Sequence, residues 1–168
     1  MPLCEIKIVD EAGRALGPEE VGEICIRSPA NMLGYYNNPE ATRAALRDGG
    51  MHTGDIGRKD EDGFLYYLDR LKDVINRGGL KISSMEVEDA LYHHPAVLET
   101  AVVAVPHPQL GEDIRAFVAL RPGMRIESEE LRAHCAALLS PHKVPRDLRF
   151  IDALPRNSMG KVQKTQLR

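Results

Sequence analysis

A chain of 168 residues with 43% hydrophobic and 28% charged side chains has apolar material for one ordinary core, or for a small domain with an attached subdomain. Its net charge of -3 gives no general attraction for nucleic acid or anionic lipid, so any phosphate site must be local. Cys4, Cys25 and Cys135 are odd in number and lack CxxC spacing, which points away from a disulfide framework or a zinc site, and the longest apolar run, Ala101 to Val105, is too short to cross a bilayer.

The first stretch, Leu3 to Val9, alternates apolar and polar residues as a half-buried strand does, and Asp10 to Gly13 supply a turn. Gly22 to Arg27 repeats the alternation, so the two are expected to pair as a hairpin. No secretory signal is read at Met1-Pro2, and a cytoplasmic location is expected. The loop that follows contains Gly34, Tyr35 and Tyr36, and it ends where Asn38 can cap a short helix with Pro39 in its first turn. Thr53-Gly54-Asp55 has the composition of a turn but also places a hydroxyl, a bare backbone and a carboxylate side by side. Gly63 to Leu68 reads as a strand that runs into a charged turn, Asp69, Arg70, Lys72 and Asp73.

Beyond that turn the pattern gives a strand at Asp73 to Ile75 and then the pair Gly78–Gly79, which permits positive φ and leaves the backbone accessible. Ser83 stands three residues before Glu86, the spacing of a capping box, and Val87, Ala90 and Leu91 mark one apolar face, so a helix is expected from about Ser84 to Tyr92. Strands follow at Glu99 to Val105 and Arg115 to Leu120. A second helix is expected from about Glu129 to Leu139, capped by Ser128 and buried along Leu131, Cys135, Leu138 and Leu139. A last strand is read at Leu148 to Ile151. This order predicts an α+β domain, a small mixed β-sheet with helices packed on one face. His93, His94 and His107 have no helpful ligand spacing and are read as helix-end or turn residues, so no metal site is expected.

The chain closes on LPRNSMGKVQK, Leu154 to Lys164, a run read as an irregular loop able to carry Lys161 away from its own domain. Three stretches in order, MHTGD at Met51 to Asp55, DRLKDVINRGG at Asp69 to Gly79 and this terminal run, resemble the signatures of the adenylate-forming enzymes. The chain is accordingly identified as resembling the C-terminal part of an AMP-forming acyl-CoA synthetase, over nearly its whole length. Asp69, Arg70, Lys72, Gly78, Gly79, Glu86, Glu88 and Lys161 match that pattern. Ser84 departs from it, standing where the family commonly has proline, and Met51-His52 stand where an aromatic residue usually precedes the TGD motif.

The resemblance implies three parts: residues 1–68 as the β-barrel end of a large N-terminal AMP-binding domain, 69–72 as a hinge, and 73–168 as a mobile C-terminal domain. It implies ATP, CoA and Mg²⁺ as cofactors, a carboxylic acid as substrate, and a missing N-terminal domain as partner. Asp55 would accept hydrogen bonds from the ribose hydroxyls, and Arg70 would approach the nucleotide. Lys72 would be the hinge residue. Lys161 would stabilise charge as the carboxylate attacks the α-phosphorus of ATP, and Gly78 and Gly79 would face the pantetheine arm of CoA. Lys143, Arg146 and Arg156 are candidates to meet the CoA phosphates. The family's phosphate loop and acyl pocket have no counterpart here, so a part of a longer enzyme, inactive alone, is expected. Two other readings stay open: an adenylation domain that loads a carrier protein, and a separate module that docks on another subunit and supplies Lys161 in trans.

Overall fold

The computed structural model describes residues 3–168, and the chain divides between Lys72 and Asp73 into two compact units. In the first, β1 (Glu5–Val9) pairs antiparallel with β2 (Gly22–Arg27), as the two alternating patterns predict. Leu3 lies in a turn ahead of β1 rather than in the strand, and Met1 and Pro2 fall outside the described residues. Helix α1 (Pro39–Ala45) starts where expected, its cap Asn38 accepting a hydrogen bond from the Ala41 amide at 3.0 Å. Strands β3 (Leu46–Arg47), β4 (Gly50–Lys59) and β5 (Leu65–Arg70) complete an antiparallel sheet in the order β1-β2-β4-β3, with β5 on β4.

Two expectations change in this unit. Thr53-Gly54-Asp55 lies inside β4 and not in a free turn, because Gly54 takes a φ of 71° while the pairing with β2 shifts register between Glu23 and Cys25. A strand can bend in this way without leaving its sheet. Asp69 and Arg70 are the last residues of β5, and the turn begins only at Leu71, as a short 3-10 segment Leu71–Asp73.

The second unit begins with a tight hairpin, β6 (Ile75–Arg77) and β7 (Leu80–Ile82), in place of the single strand expected at Asp73 to Ile75. Helix α2 (Ser84–Tyr92) follows with the predicted cap, Ser83 Oγ accepting from the Glu86 amide at 3.3 Å. Strands β8 (Val97–His107) and β9 (Gly111–Leu120) form a long antiparallel pair. Helix α3 (Ser128–Leu138) leads to β10 (Asp147–Phe150), which joins β9 in parallel and makes the sheet mixed, as predicted. Ser128 is the first residue of α3 and not its cap; Glu127 holds that position without a side-chain hydrogen bond. The buried stripe of α3 is Leu131 and Cys135, with Leu139 packed at its edge, whereas Leu138 turns to solvent at 56% exposure.

Both faces of this sheet are covered. Val97, Val102, Ile114, Ala116 and Val118 face α2 and α3, meeting Val87, Leu91, Leu131 and Cys135 in one core. The alternate residues Ala101, Val103 and Phe117 face the other way and are covered by Leu154, with Ile151, Val162 and Leu167 packed around them. The period of two in β8 and β9 thus serves two layers. The C-terminal run is irregular, as expected, and through Leu154 and Val162 it also helps cover the second face of the sheet.

Candidate functional site

In the first unit Asp55 on β4 stands opposite Arg70 on β5, and the Arg70 Nε lies 2.9 Å from Asp55 Oδ1. The carboxylate is half-buried and the guanidinium more open, at 27% and 56% side-chain exposure, so acceptor oxygen remains within reach of a ligand. The bend around Gly54 is tied down from β2: the Gly54 amide donates to Glu23 Oε1 at 3.0 Å, and Thr53 Oγ1 donates to the Ile24 carbonyl at 2.7 Å while accepting from the Asp55 amide at 3.1 Å. Tyr67 is drawn into the same group, its phenol pushed up by burial and then by the Asp55 charge, against a hydrogen bond with Arg70. Sequence reasoning selected Asp55 and Arg70 but not Glu23, which sets the bend. Tyr35 and Tyr36 are exposed on their loop.

Glu23 also closes a polar cluster that the sequence does not announce. His52 Nδ1 lies 2.7 Å from Glu23 Oε2 and 3.3 Å from Cys25 Sγ, a grouping close enough to hold a metal ion. Arg47 already supplies a cation there, its Nη2 3.1 Å from His52 Nδ1 and 3.5 Å from Glu23 Oε2. Burial, then the Glu23 charge, pushes the Cys25 thiol up to about 11, and burial alone does the same to Cys135. The other histidines serve local structure: His107 Nδ1 accepts from the Gln109 and Leu110 amides, each at 3.2 Å, and His94 packs edge-on to His134.

The glycine pair forms the two-residue turn of the β6–β7 hairpin, with Gly78 at φ 59° and Gly79 at φ 89°. Positive φ at both central residues is the geometry that matches the twist of a hairpin, and glycine adopts it without strain. The Gly78 amide donates to the Leu110 carbonyl at 2.8 Å, and the Gly79 amide to Asn76 Oδ1 at 3.1 Å. Just before the turn, Arg77 is buried at 7% exposure, its Nε 2.7 Å from Asp113 Oδ1 and its Nη1 donating to the His142 carbonyl at 2.6 Å. The turn therefore presents bare backbone on a rigid base.

Lys161 lies on an arch, not on a free tail. An antiparallel bridge joins Arg156 to Val162, and the Gln163 amide donates to the Pro155 carbonyl at 2.8 Å. Asn157 organises the tip: its Oδ1 accepts from the Met159 amide at 3.0 Å and the Lys161 amide at 2.9 Å, and its carbonyl accepts from the Gly160 amide at 2.9 Å. Val162 packs toward the sheet, so Lys161 points outward, exposed, and makes no ion pair among the described residues. Lys164 is held instead, its Nζ 2.6 Å from Glu88 Oε1 and donating to Ser84 Oγ at 2.8 Å. Two of the basic residues named as phosphate candidates are also committed: Lys143 to Glu86 at 2.5 Å, and Arg156 to Glu99.

The family of AMP-binding enzyme C-terminal domains matches residues 86–161, and the AMP-binding enzyme family matches residues 1–36. A long-chain-fatty-acid–CoA ligase of Bacillus subtilis (strain 168) is 45% identical over 158 residues, covering 94% of this chain and 28% of that protein. The o-succinylbenzoate CoA synthetase of Bacillus subtilis, solved with its acyl-adenylate intermediate, superposes with a TM-score of 0.93 at 37% identity, covering all of this chain and 34% of that one. A structure of the same synthetase with ATP and magnesium ion gives a TM-score of 0.91 at 37% identity, over 99% of this chain and 34% of that one. The chain thus spans about a third of the length of the relatives it matches. Among the described residues no helix is long and apolar enough to cross a membrane.

Proposed function

We propose that this chain, which belongs to the AMP-binding, adenylate-forming enzymes and matches their C-terminal part, serves an AMP-forming acid–thiol ligase. The reaction converts a carboxylic acid, ATP and CoA into acyl-CoA, AMP and pyrophosphate through an acyl-adenylate. In the first half, a carboxylate oxygen attacks the α-phosphorus and the bond to pyrophosphate breaks. Negative charge crowds at that phosphorus, and the Lys161 ammonium is the group from this chain that meets it. Mg²⁺ enters with the ATP phosphates and shares that charge. Asp55 accepts from the ribose hydroxyls, and Arg70, already paired with it, stands beside the nucleotide.

In the second half, the CoA thiol attacks the acyl carbonyl and AMP leaves. The Gly78–Gly79 turn then faces the pantetheine arm, where a side chain would obstruct a narrow passage. Lys72, the last residue of the first unit, is the hinge about which the second unit turns between the two halves. On this reading residues 1–68 are the end of a larger AMP-binding domain, the chain works joined to that domain and not alone, and it acts in the cytoplasm. What supports the reading most is an exposed ammonium, without an ion pair among the described residues, on a hydrogen-bonded arch, in a chain 37% identical from end to end to a synthetase solved with its acyl-adenylate.

The test is pyrophosphate release with a panel of carboxylic acids, by this chain alone and by the chain joined to an AMP-binding portion. Turnover only in the joined protein, lost on Lys161→Ala, is expected. Turnover by the isolated chain, or turnover in the joined protein that ignores Lys161, would overturn the proposal.

A further inference from the structure

A two-stranded hairpin alone is marginal in water. In the arch that carries Lys161 the two limbs are joined by one bridge, Arg156 with Val162, and by backbone bonds from the Asn157 amide to the Lys161 carbonyl at 2.9 Å and from the Gln163 amide to the Pro155 carbonyl at 2.8 Å. Asn157 fixes the shape of the tip but not its position on the sheet. Leu154 and Val162 pack the arch against the sheet, and Glu99 on β8 holds it there by hydrogen bonds. One of its oxygens, Oε1, accepts from the Leu154 amide at 3.0 Å, where the chain enters the arch. The other, Oε2, pairs with Nη2 of Arg156, and Nη1 of the same guanidinium donates to the Gly160 carbonyl at 2.7 Å. A guanidinium is planar and stiff, so its two bonds are geometrically coupled. One carboxylate thereby reaches the peptide unit directly before Lys161. The far limb is pinned independently, through Lys164 on Glu88 and Ser84.

We infer that Glu99 is a positioning residue for Lys161: through Arg156 it fixes the Gly160 carbonyl, and with it the point from which the ammonium is delivered to the phosphate. The inference rests on the proposal that Lys161 serves adenylation. The pair is partly exposed, at 47% for Arg156 and 22% for Glu99, so its value to overall stability is small. Its value to the reaction is larger, because a misplacement of about 1 Å can lower a rate by about a hundredfold.

The experiment uses the complete ligase with the variants Glu99→Gln, Arg156→Lys and Lys161→Ala. Glu99→Gln keeps an acceptor for the Leu154 amide but removes the charge, and Arg156→Lys keeps the charge but removes the fork. ATP–pyrophosphate exchange reads adenylation, and thioester formation from supplied acyl-adenylate and CoA reads the second half. Glu99→Gln and Arg156→Lys are each expected to lower kcat of exchange by about tenfold to a hundredfold, with KM for ATP and thioester formation near wild type. Exchange at the wild-type kcat in both variants, with Lys161→Ala inactive, would overturn this inference alone. A parallel fall in both half-reactions, the mark of general structural damage, would also overturn it. Wild-type exchange by Lys161→Ala would instead overturn the assignment of Lys161 on which it rests.

Discussion

The Gly78–Gly79 turn is held from beneath by a buried ion pair, Arg77 with Asp113, whereas the Lys161 arch is held from the side by partly exposed carboxylates, Glu99 and Glu88. Both are hairpins of the second unit, and both bring candidate chemistry to the surface. The first needs bare backbone at a fixed place, and a buried pair that cannot rearrange cheaply provides it. The second needs a charged side chain free to reach while its backbone stays put. Lys161 meets this by having no ion pair among the described residues, on a backbone that Asn157 and Arg156 hold on either side. Lys164, three residues on, shows the other fate of a basic residue in the same run: paired on helix α2 and used for anchoring.

Arg77→Ala should give the largest effect, because it strands the Asp113 carboxylate in a buried site. A loss of about 3–5 kcal/mol is expected, read by urea unfolding with hydrogen exchange to follow the second unit. A loss below about 1 kcal/mol would mean that water reaches the pair freely. The double replacement Arg77→Met with Asp113→Leu should recover most of the loss, since neither charge is then left alone. Lys161→Ala should leave the unfolding midpoint unchanged, since the side chain has no ion pair among the described residues. In the complete ligase it should slow adenylation by about a hundredfold to a thousandfold, the scale of removing one electrostatic donor from a water-excluded site. Equal damage to stability and rate would erase the contrast between the two hairpins.

A smaller effect separates the two glycines. Gly79→Ala places a Cβ in open space, so its cost is the left-handed backbone alone, about 1–2 kcal/mol. Gly78→Ala carries the same strain and adds a Cβ at 3.3 Å from the Leu110 side chain, so it should be the more destabilising of the two. The reverse order, measured by thermal unfolding of the chain, would show that Leu110 gives way easily.

The sequence made the local features plain and hid the distant ones. The caps at Asn38 and Ser83, the alternation of β1 and β2, and the apolar face of α2 are set by neighbours within a few positions, and they stand where expected; β8 and β9 contain the strands expected and run longer. β7 was missed because three residues carry no period, and Leu138 was misplaced because the apolar face of α3 is narrower than its stripe suggested. The TGD run reads as a turn by composition; the Glu23 carboxylate from β2, thirty-one residues before Gly54, and the Ile24 carbonyl beside it tie it into the sheet. Arg77, Glu99 and Arg156 look like ordinary surface charges until pairing across the fold gives them partners. Asp55, Arg70, Lys72, Gly78, Gly79 and Lys161 were marked by resemblance of motif, and the geometry adds how each is held.

The smallest expected effect is a titration. The Glu99 carboxyl is held below its usual value of 4.5, first by the hydrogen bond from the Leu154 amide and, after the opposing effect of burial, by the Arg156 guanidinium. A group whose pKa is depressed on folding contributes its stabilisation fully above its unfolded value and loses it as the pH falls through the folded one. The bracket on the arch should therefore be intact from neutrality down to about pH 4.5 and loosen only below it, with a change in overall stability of under about 1 kcal/mol, because the pair is partly exposed. The Leu154 amide resonance reports this directly, since it donates to the titrating carboxylate. Its shift should move with a midpoint below 4.5 and lose that step in Glu99→Gln, while the Gly78 amide, bonded to a backbone carbonyl, should show no step of its own. A Leu154 midpoint at or above 4.5 would mean that neither the Leu154 amide nor Arg156 holds the Glu99 carboxylate in solution, and the arch would then owe its place to Leu154 and Val162 packing and to Lys164 on Glu88.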